Sequence, residues 1–241
     1  MLTVDFDYFD LHADQVCLDL GCGEGRHALT AHLSEGVQVL GVDLSHSDLK
    51  TAVSRIDDMA SYSPAGQVLF LQSDGGRLPL ADNSVDRLIC SEVLEHIPNY
   101  IQFLEEIDRV LKPSGRLCIS VPRAWPEWVC WTLCDAYRRT PGGHIRIFDS
   151  LHLRREVERY GLKCTRRRGA HALHVPYWWL KCCFWHWQKE PAIVRWYHRL
   201  LVWDLMSRPW ITRWLDRIMN PWMGKSVVMY FDRIEPSDTV E

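Results

Sequence analysis

Residues 16–25 read VCLDLGCGEG, an apolar strand-like run that passes directly into three alternate glycines. Without a Cβ at those positions, a ligand can approach the backbone closely, although a plain tight turn uses the same residues. RHALTAHLSEG follows with helical apolar spacing and stops at Gly36. The alternation then repeats. VQVLGV (37–42), QVLFLQ (67–72), VDRLICS (85–91) and RLCISVP (116–122) read as strands, with Ser45 as the N-cap of one intervening helix and KPSG breaking another at Leu111. Strands and helices alternating at this pitch predict an α/β fold with a doubly wound, mostly parallel sheet.

Beyond that core the pattern predicts a helix near 126–138, a PGG break at 141–143, and a helix in DSLHLRREVERYG ending at Gly161. LKCTRRRGA reads as an edge strand, where Arg166–Arg168 would discourage edge-to-edge pairing, and KSVVMYFDRI (225–234) as the last strand. Between these two strands lie about fifty residues, too many for a plain connection. The domain expectation is therefore a main body of 1–173 and 223–241, with a helical insertion at 174–222.

Composition narrows the function classes. A formal net charge of -3 over 241 residues argues against a phosphate-backbone binder. Nine cysteines without CxxC spacing fit free thiols, hence a cytoplasmic setting. MLTVDFDYFD lacks a basic n-region, and no apolar run reaches the roughly 18 residues of a bilayer span. All twelve tryptophans lie at or beyond Trp125, nine of them from Trp178 onward. Ligands of open α/β sheets bind at the carboxyl ends of the strands. There stand Asp43, placed to accept from ribose hydroxyls, and Asp74, placed to accept from an adenine amino group. The fourth strand runs into SEVLEHI.

VCLDLGCGEGRH, VLGVDLS, SDGGRLPLADNSVDRLICSEVLEHI and RVLKPSGRLCISVP, in that order, resemble the consecutive motifs of class I S-adenosylmethionine-dependent methyltransferases. More narrowly they are similar to the type 11 group, which includes enzymes of ubiquinone and menaquinone synthesis. The resemblance covers roughly residues 10–122. It implies a Rossmann-like seven-stranded sheet with the last strand antiparallel, and S-adenosyl-L-methionine as cofactor. It places Asp19, Gly21 and Gly23 around the methionine moiety, Asp43 and Leu44 at the ribose, Asp74 and Gly75 at the adenine, and Ser91 with Glu92 near the sulfonium. Cys22 and Glu24 occupy variable slots. A nicotinamide dinucleotide fits less well, because GCGEGRH lacks the third glycine of that fingerprint.

Methyl transfer from a sulfonium needs alignment above all, and a general base only where the acceptor must lose a proton. His144 in PGGHIRIF is the candidate base, with Arg146 beside it; a loop histidine capping the next helix is the competing reading. His96, four residues after Glu92, would face it on a helix as a structural pair. Cys130 and Cys134 share a helical face, and His171 and His174 lie downstream. Their spacing fits no standard zinc pattern, so no metal is expected.

From Pro176 to Lys225 stand eight Lys or Arg and three acids. Pro191, Pro209 and Pro221 divide the insertion into short helices. Its rings either pack onto the domain, line an apolar acceptor pocket, or lie at a membrane surface. The expected function is methyl transfer to a hydrophobic small-molecule or lipid-like acceptor. An RNA methyltransferase and a non-catalytic cofactor-binding interaction protein are the alternatives, nucleic acid being disfavoured by the acidic whole.

Overall fold

In the computed structural model, which describes residues 2–58 and 65–234, a seven-stranded sheet runs in the order β3-β2-β1-β4-β5-β7-β6. Met1, residues 59–64 and residues 235–241 of the expected main body lie outside the described residues. The chain enters through α1 (Phe6–Phe9), β1 (Val16–Leu20), α2 (Arg26–His32), β2 (Gln38–Asp43), α3 (His46–Asp58), β3 (Val68–Gln72) and β4 (Val85–Ser91). It continues through α4 (Tyr100–Val110), β5 (Leu111–Pro122), α5 (Ala124–Leu133), α6 (Asp135–Arg138), α7 (Ser150–Glu158) and β6 (Leu162–Ala170). Helices α8 (Val175–Cys183), α9 (Ala192–Ser207) and α10 (Trp210–Met223) precede β7 (Ser226–Arg233). β7 alone runs antiparallel to its neighbours.

Each strand alternates its side chains between two cores. On one face Leu18, Leu88, Leu117, Met229 and Phe231 pack beneath α4 and α7, through Leu104, Ile107, Leu153 and Val157. On the other, Cys17, Val39, Ile89, Val228 and Tyr230 meet Ala28 and Ala31 of α2 and Phe9 of the N-terminal segment. The Tyr230 hydroxyl accepts from Asp5 N at 2.7 Å, which ties that segment to the antiparallel strand. β6 is indeed an edge strand. Its arginines do more than repel: Arg166 and Arg168 pair with Asp5, and Arg167 donates to Ser150 Oγ.

Four local expectations need correction. KPSG ends α4, because Pro113 cannot continue the helical ladder, yet the backbone is already extended from Leu111. Leu111 pairs with Val85, and a register shift absorbs the proline before Arg116 meets Arg87. The helix near 126–138 is two helices, broken at Cys134, whose Sγ accepts from Tyr137 N and restarts the chain as α6. Glu92 and His96 do not share a helix: Glu92 has φ +58°, and a short 3-10 turn, Leu94–His96, follows. Pro191 and Pro209 do begin helices, but Pro221 lies inside α10.

Because β6 and β7 are antiparallel, the insertion leaves at Ala170 and returns at Ser226, which are paired across the two strands. Ser226 also pairs with Pro122 at the carboxyl end of β5. The inserted helices therefore rise from the same sheet edge as the glycine turn.

Candidate active site

The strand order reverses between β1 and β4, and the crevice at such a reversal is where open α/β sheets take ligands. The glycine turn forms its floor. Gly21 has φ +75°, and a Cβ there would stand 2.4 Å from Val93 Cγ2, so both conformation and space demand glycine. Gly21 N donates to Val42 O at 2.7 Å. Gly23 N donates to Asp43 Oδ2 at 2.7 Å, while Ser45 N donates to Asp43 Oδ1 at 2.8 Å. A Cβ on Gly23 would meet nothing within 4 Å, so that side of the turn stands open.

Asp19 acts from beneath the turn. It is buried, and its Oδ2 accepts from Ala28 N at 2.9 Å, which takes one of the helix-start N–H groups. Burial pushes its carboxyl up to about 7, against the Ala28 hydrogen bond and the Arg26 charge. Leu44 is 71% exposed at the end of β2, an apolar surface beside the Asp43 carboxylate. Asp74 is exposed and accepts from Gly76 N at 2.9 Å, whereas Gly75 is buried, where a Cβ would strike Phe103. Ser91 is buried and shares a hydrogen bond with Ser120 Oγ at 2.8 Å; Ser120 donates in turn to Glu92 Oε1 at 3.0 Å. Glu24, given no role by its sequence position, pairs with Arg55, which also donates to Glu24 O at 2.9 Å and pins the turn to α3.

A second group gathers beyond Glu92. His144 Nδ1 lies 2.6 Å from Glu127 Oε1, and since a carboxylate only accepts, the ring donates from Nδ1. Glu127 also accepts from Trp131 Nε1 and the Tyr137 hydroxyl. Burial would raise Glu127, but the His144 hydrogen bond and charge win, and its carboxyl lies below the ordinary value. His96 stacks edge-on against His144 at 5.0 Å. Burial and the neighbouring His144 lower its pKa. Arg146 donates to Pro98 O at 2.7 Å and lies over the Tyr100 and Phe148 rings, so it braces the loop. Neither Glu127 nor Glu95 was singled out by sequence; a lone acid in the Trp-rich run AWPEWVCWTL was the available signal for the first. Cys130 and Cys134 join Cys182 in a buried apolar cluster with Trp178 and Trp179, away from His171 and His174.

The cradle suits an adenosine carrying an amino-acid tail: acceptor-only carboxylates at the ends of β2 and β3, and open backbone at Gly23. This defines a nucleoside-binding domain of the Rossmann-like class. The protein-family model described as "Methyltransferase domain" matches residues 18–119. "Methyltransferase GfsG" of Streptomyces halstedii is 35% identical over 115 residues, 48% of this chain and 40% of that protein. "Demethylmenaquinone methyltransferase" of Lactococcus lactis is 37% identical over 108 residues, 43% of this chain and 40% of that one. The chain thus spans less than half the length of these relatives. The crystal structure of the [4+2]-cyclase SpnF superposes with a TM-score of 0.60 at 20% identity, covering 92% of this chain and 76% of that one, a likeness of fold alone. Residues 18–119 are a class I, type 11 S-adenosylmethionine-dependent methyltransferase domain.

Proposed function

We propose that this protein transfers the methyl group of S-adenosyl-L-methionine to a hydrophobic small-molecule or lipid-like acceptor in the cytoplasm. The observation that carries this reading is the row of Asp43, Asp74 and Glu92 at successive strand ends, with His144 held beyond them. Asp43 and Leu44 hold the ribose, Asp74 with Gly75 the adenine edge, and Gly21 and Gly23, braced by Asp19, the methionine tail. Ser91 and Glu92 form the wall by the sulfonium. The bound cofactor supplies an activated methyl group, and the protein aligns the acceptor with it and excludes water. For an acceptor hydroxyl, a C–O bond forms as the S–CH3 bond breaks, and the hydroxyl proton passes to His144 Nε2. Glu127 positions that imidazole and Arg146 the loop that carries it. His144→Ala is expected to slow transfer about 10²–10⁴-fold, with S-adenosylhomocysteine affinity unchanged.

Calorimetry with S-adenosylhomocysteine tests the cofactor reading, and an absence of binding at high micromolar ligand would sink it. Incubation of cell extracts with methyl-tritiated donor tests the rest. Label is expected in the organic-extractable fraction. Label in RNA would instead favour the nucleic-acid alternative, and no label despite cofactor binding would favour a non-catalytic role.

A membrane-surface contact through 174–222 is supported by the exposed rings of α9 and α10. Trp196, Trp203 and Trp214 are about half exposed, and Trp210 and Trp222 are each 77% exposed. Packing onto the domain, the competing account, holds for Trp178 and Trp179 of α8. Among the described residues no helix is long and apolar enough to cross a membrane, so the contact proposed is interfacial.

A further inference from the structure

We infer that Glu95, His96 and His144 form a binding site for one divalent transition-metal ion. Each offers one donor atom, and the three atoms lie within 4.8 Å of one another. Ligands of a zinc-like ion at about 2.0–2.1 Å stand roughly 3.3 Å apart, so a contraction on the order of 1 Å would close the set.

The two histidines are already prepared as ligands. His144 donates from Nδ1 to Glu127, and His96 Nδ1 donates to Gly143 O at 3.1 Å, since a carbonyl can only accept. Both rings therefore carry a proton on Nδ1, so Nε2 is the atom that a neutral ring offers to a metal ion. An outer carboxylate or carbonyl that fixes the tautomer in this way is the usual partner of a metal-ligating imidazole. Among the described residues no hydrogen bond engages either Nε2.

Glu95 supplies the independent observation. Its side chain is 0% exposed, and neither carboxylate oxygen has a hydrogen-bond partner among the described residues. The nearest cationic candidate is His144 Nε2, 4.0 Å from Oε1 and beyond hydrogen-bonding range. Ionised, such a carboxylate is a buried charge without a counterpart; protonated, it has no acceptor for its O–H. A cation between Oε1 and the two Nε2 atoms resolves both difficulties. The backbone is already arranged for this, because Ile145 N donates to Glu95 O at 3.0 Å and holds the His144 loop against the turn.

Two imidazoles and one carboxylate favour zinc, iron(II), cobalt or nickel over magnesium or calcium, which prefer all-oxygen shells. Both histidines line a cavity of about 540 Å³ with Gly142, Gly143 and Trp131, so water or an acceptor heteroatom can complete the shell. Only the chemical use of the ion rests on the assignment of this wall to the acceptor; its binding rests on the three donors themselves. With an ion bound, His144 Nε2 would be its ligand and no longer a base, and the ion would supply Lewis-acid activation of an acceptor hydroxyl, whose proton would pass to solvent.

The test is uptake of Co²⁺ by the full chain after chelator treatment, followed by visible d–d absorption and calorimetry. One ion per chain is expected, with a spectrum of nitrogen and oxygen ligation. His96→Ala and Glu95→Gln should each abolish saturable uptake while S-adenosylhomocysteine still binds, which shows the fold is retained. Glu127→Gln should weaken uptake about 10–100-fold, as loss of an outer partner does. No saturable uptake, uptake that survives both ligand substitutions, or a thiolate-to-cobalt band placing the ion on cysteine would each overturn the proposal. Cobalt uptake without S-adenosylhomocysteine binding would sink the methyl-transfer reading and leave this one standing.

Discussion

Asp43 commits both carboxylate oxygens to backbone N–H groups, at Gly23 and Ser45, before any ligand arrives. One side chain thus fixes the glycine turn, and its carboxylate has lone pairs beyond those two bonds. Asp43→Ala should weaken S-adenosylhomocysteine binding by at least about tenfold in calorimetry, since hydrogen bonds to a charged group contribute about 1.5–3 kcal/mol. Gly21→Ala forces a left-handed backbone on a residue with a Cβ and drives that carbon into Val93. A loss of at least about 1–2 kcal/mol is expected in denaturant unfolding. The turn and the acid that braces it were legible in DLGCGEG and VDLS because glycine and a strand-end acid are local signals. Glu95 and Glu127 were not, because their meaning lies in burial and in partners from a distant loop. The opening contacts of SEVLEHI misled for the same reason: the left-handed backbone of Glu92 cannot be read from residue type.

At the scale of elements, α2 carries a titration built into its packing. His27 is buried against the N-terminal segment, where Thr3 N donates to its Nε2 at 3.2 Å, and burial lowers its pKa to about 3. The folded ring stays neutral while the unfolded ring, near 6.5, takes up a proton on acidification. Stability from this residue is complete above pH 6.5 and declines as pH falls toward 3, by roughly 2 kcal/mol at pH 5. Replacing His27 with Gln should therefore shrink the drop in thermal midpoint between pH 7 and pH 5; an unchanged drop would assign it to His171 and His174, lowered to about 3 and 4 mainly by burial. Helix α10 makes a different prediction. Its exposed Trp210, Trp214 and Trp222 accompany Arg213 and Arg217. Cosedimentation with anionic vesicles should fall with salt and be lost in Trp214→Ser combined with Trp222→Ser, without change in cofactor binding.

Across the whole molecule, the doubly wound seven-stranded sheet, its antiparallel last strand and the inserted helices followed from periodicity and from the matched motifs, whereas the strand order came from the structure. The orientation of the aromatic rings did not, since helical spacing gives a face without naming its neighbour. YWWLKCCFWHW shows this within one stretch: Trp178, Trp179 and Cys182 are packed against α5, while Cys183 and Trp187 face outward. The pairing of Ala170 with Ser226 has a wider consequence. Both ends of the excursion 171–225 sit one strand spacing apart, so the segment occupies the place of a hairpin turn. Closing a long loop there costs only logarithmically more than closing a short one. The architecture behaves as a socket: different helical segments can be exchanged at this turn while the glycine turn, at the same strand ends but on the other half of the sheet, stays the same.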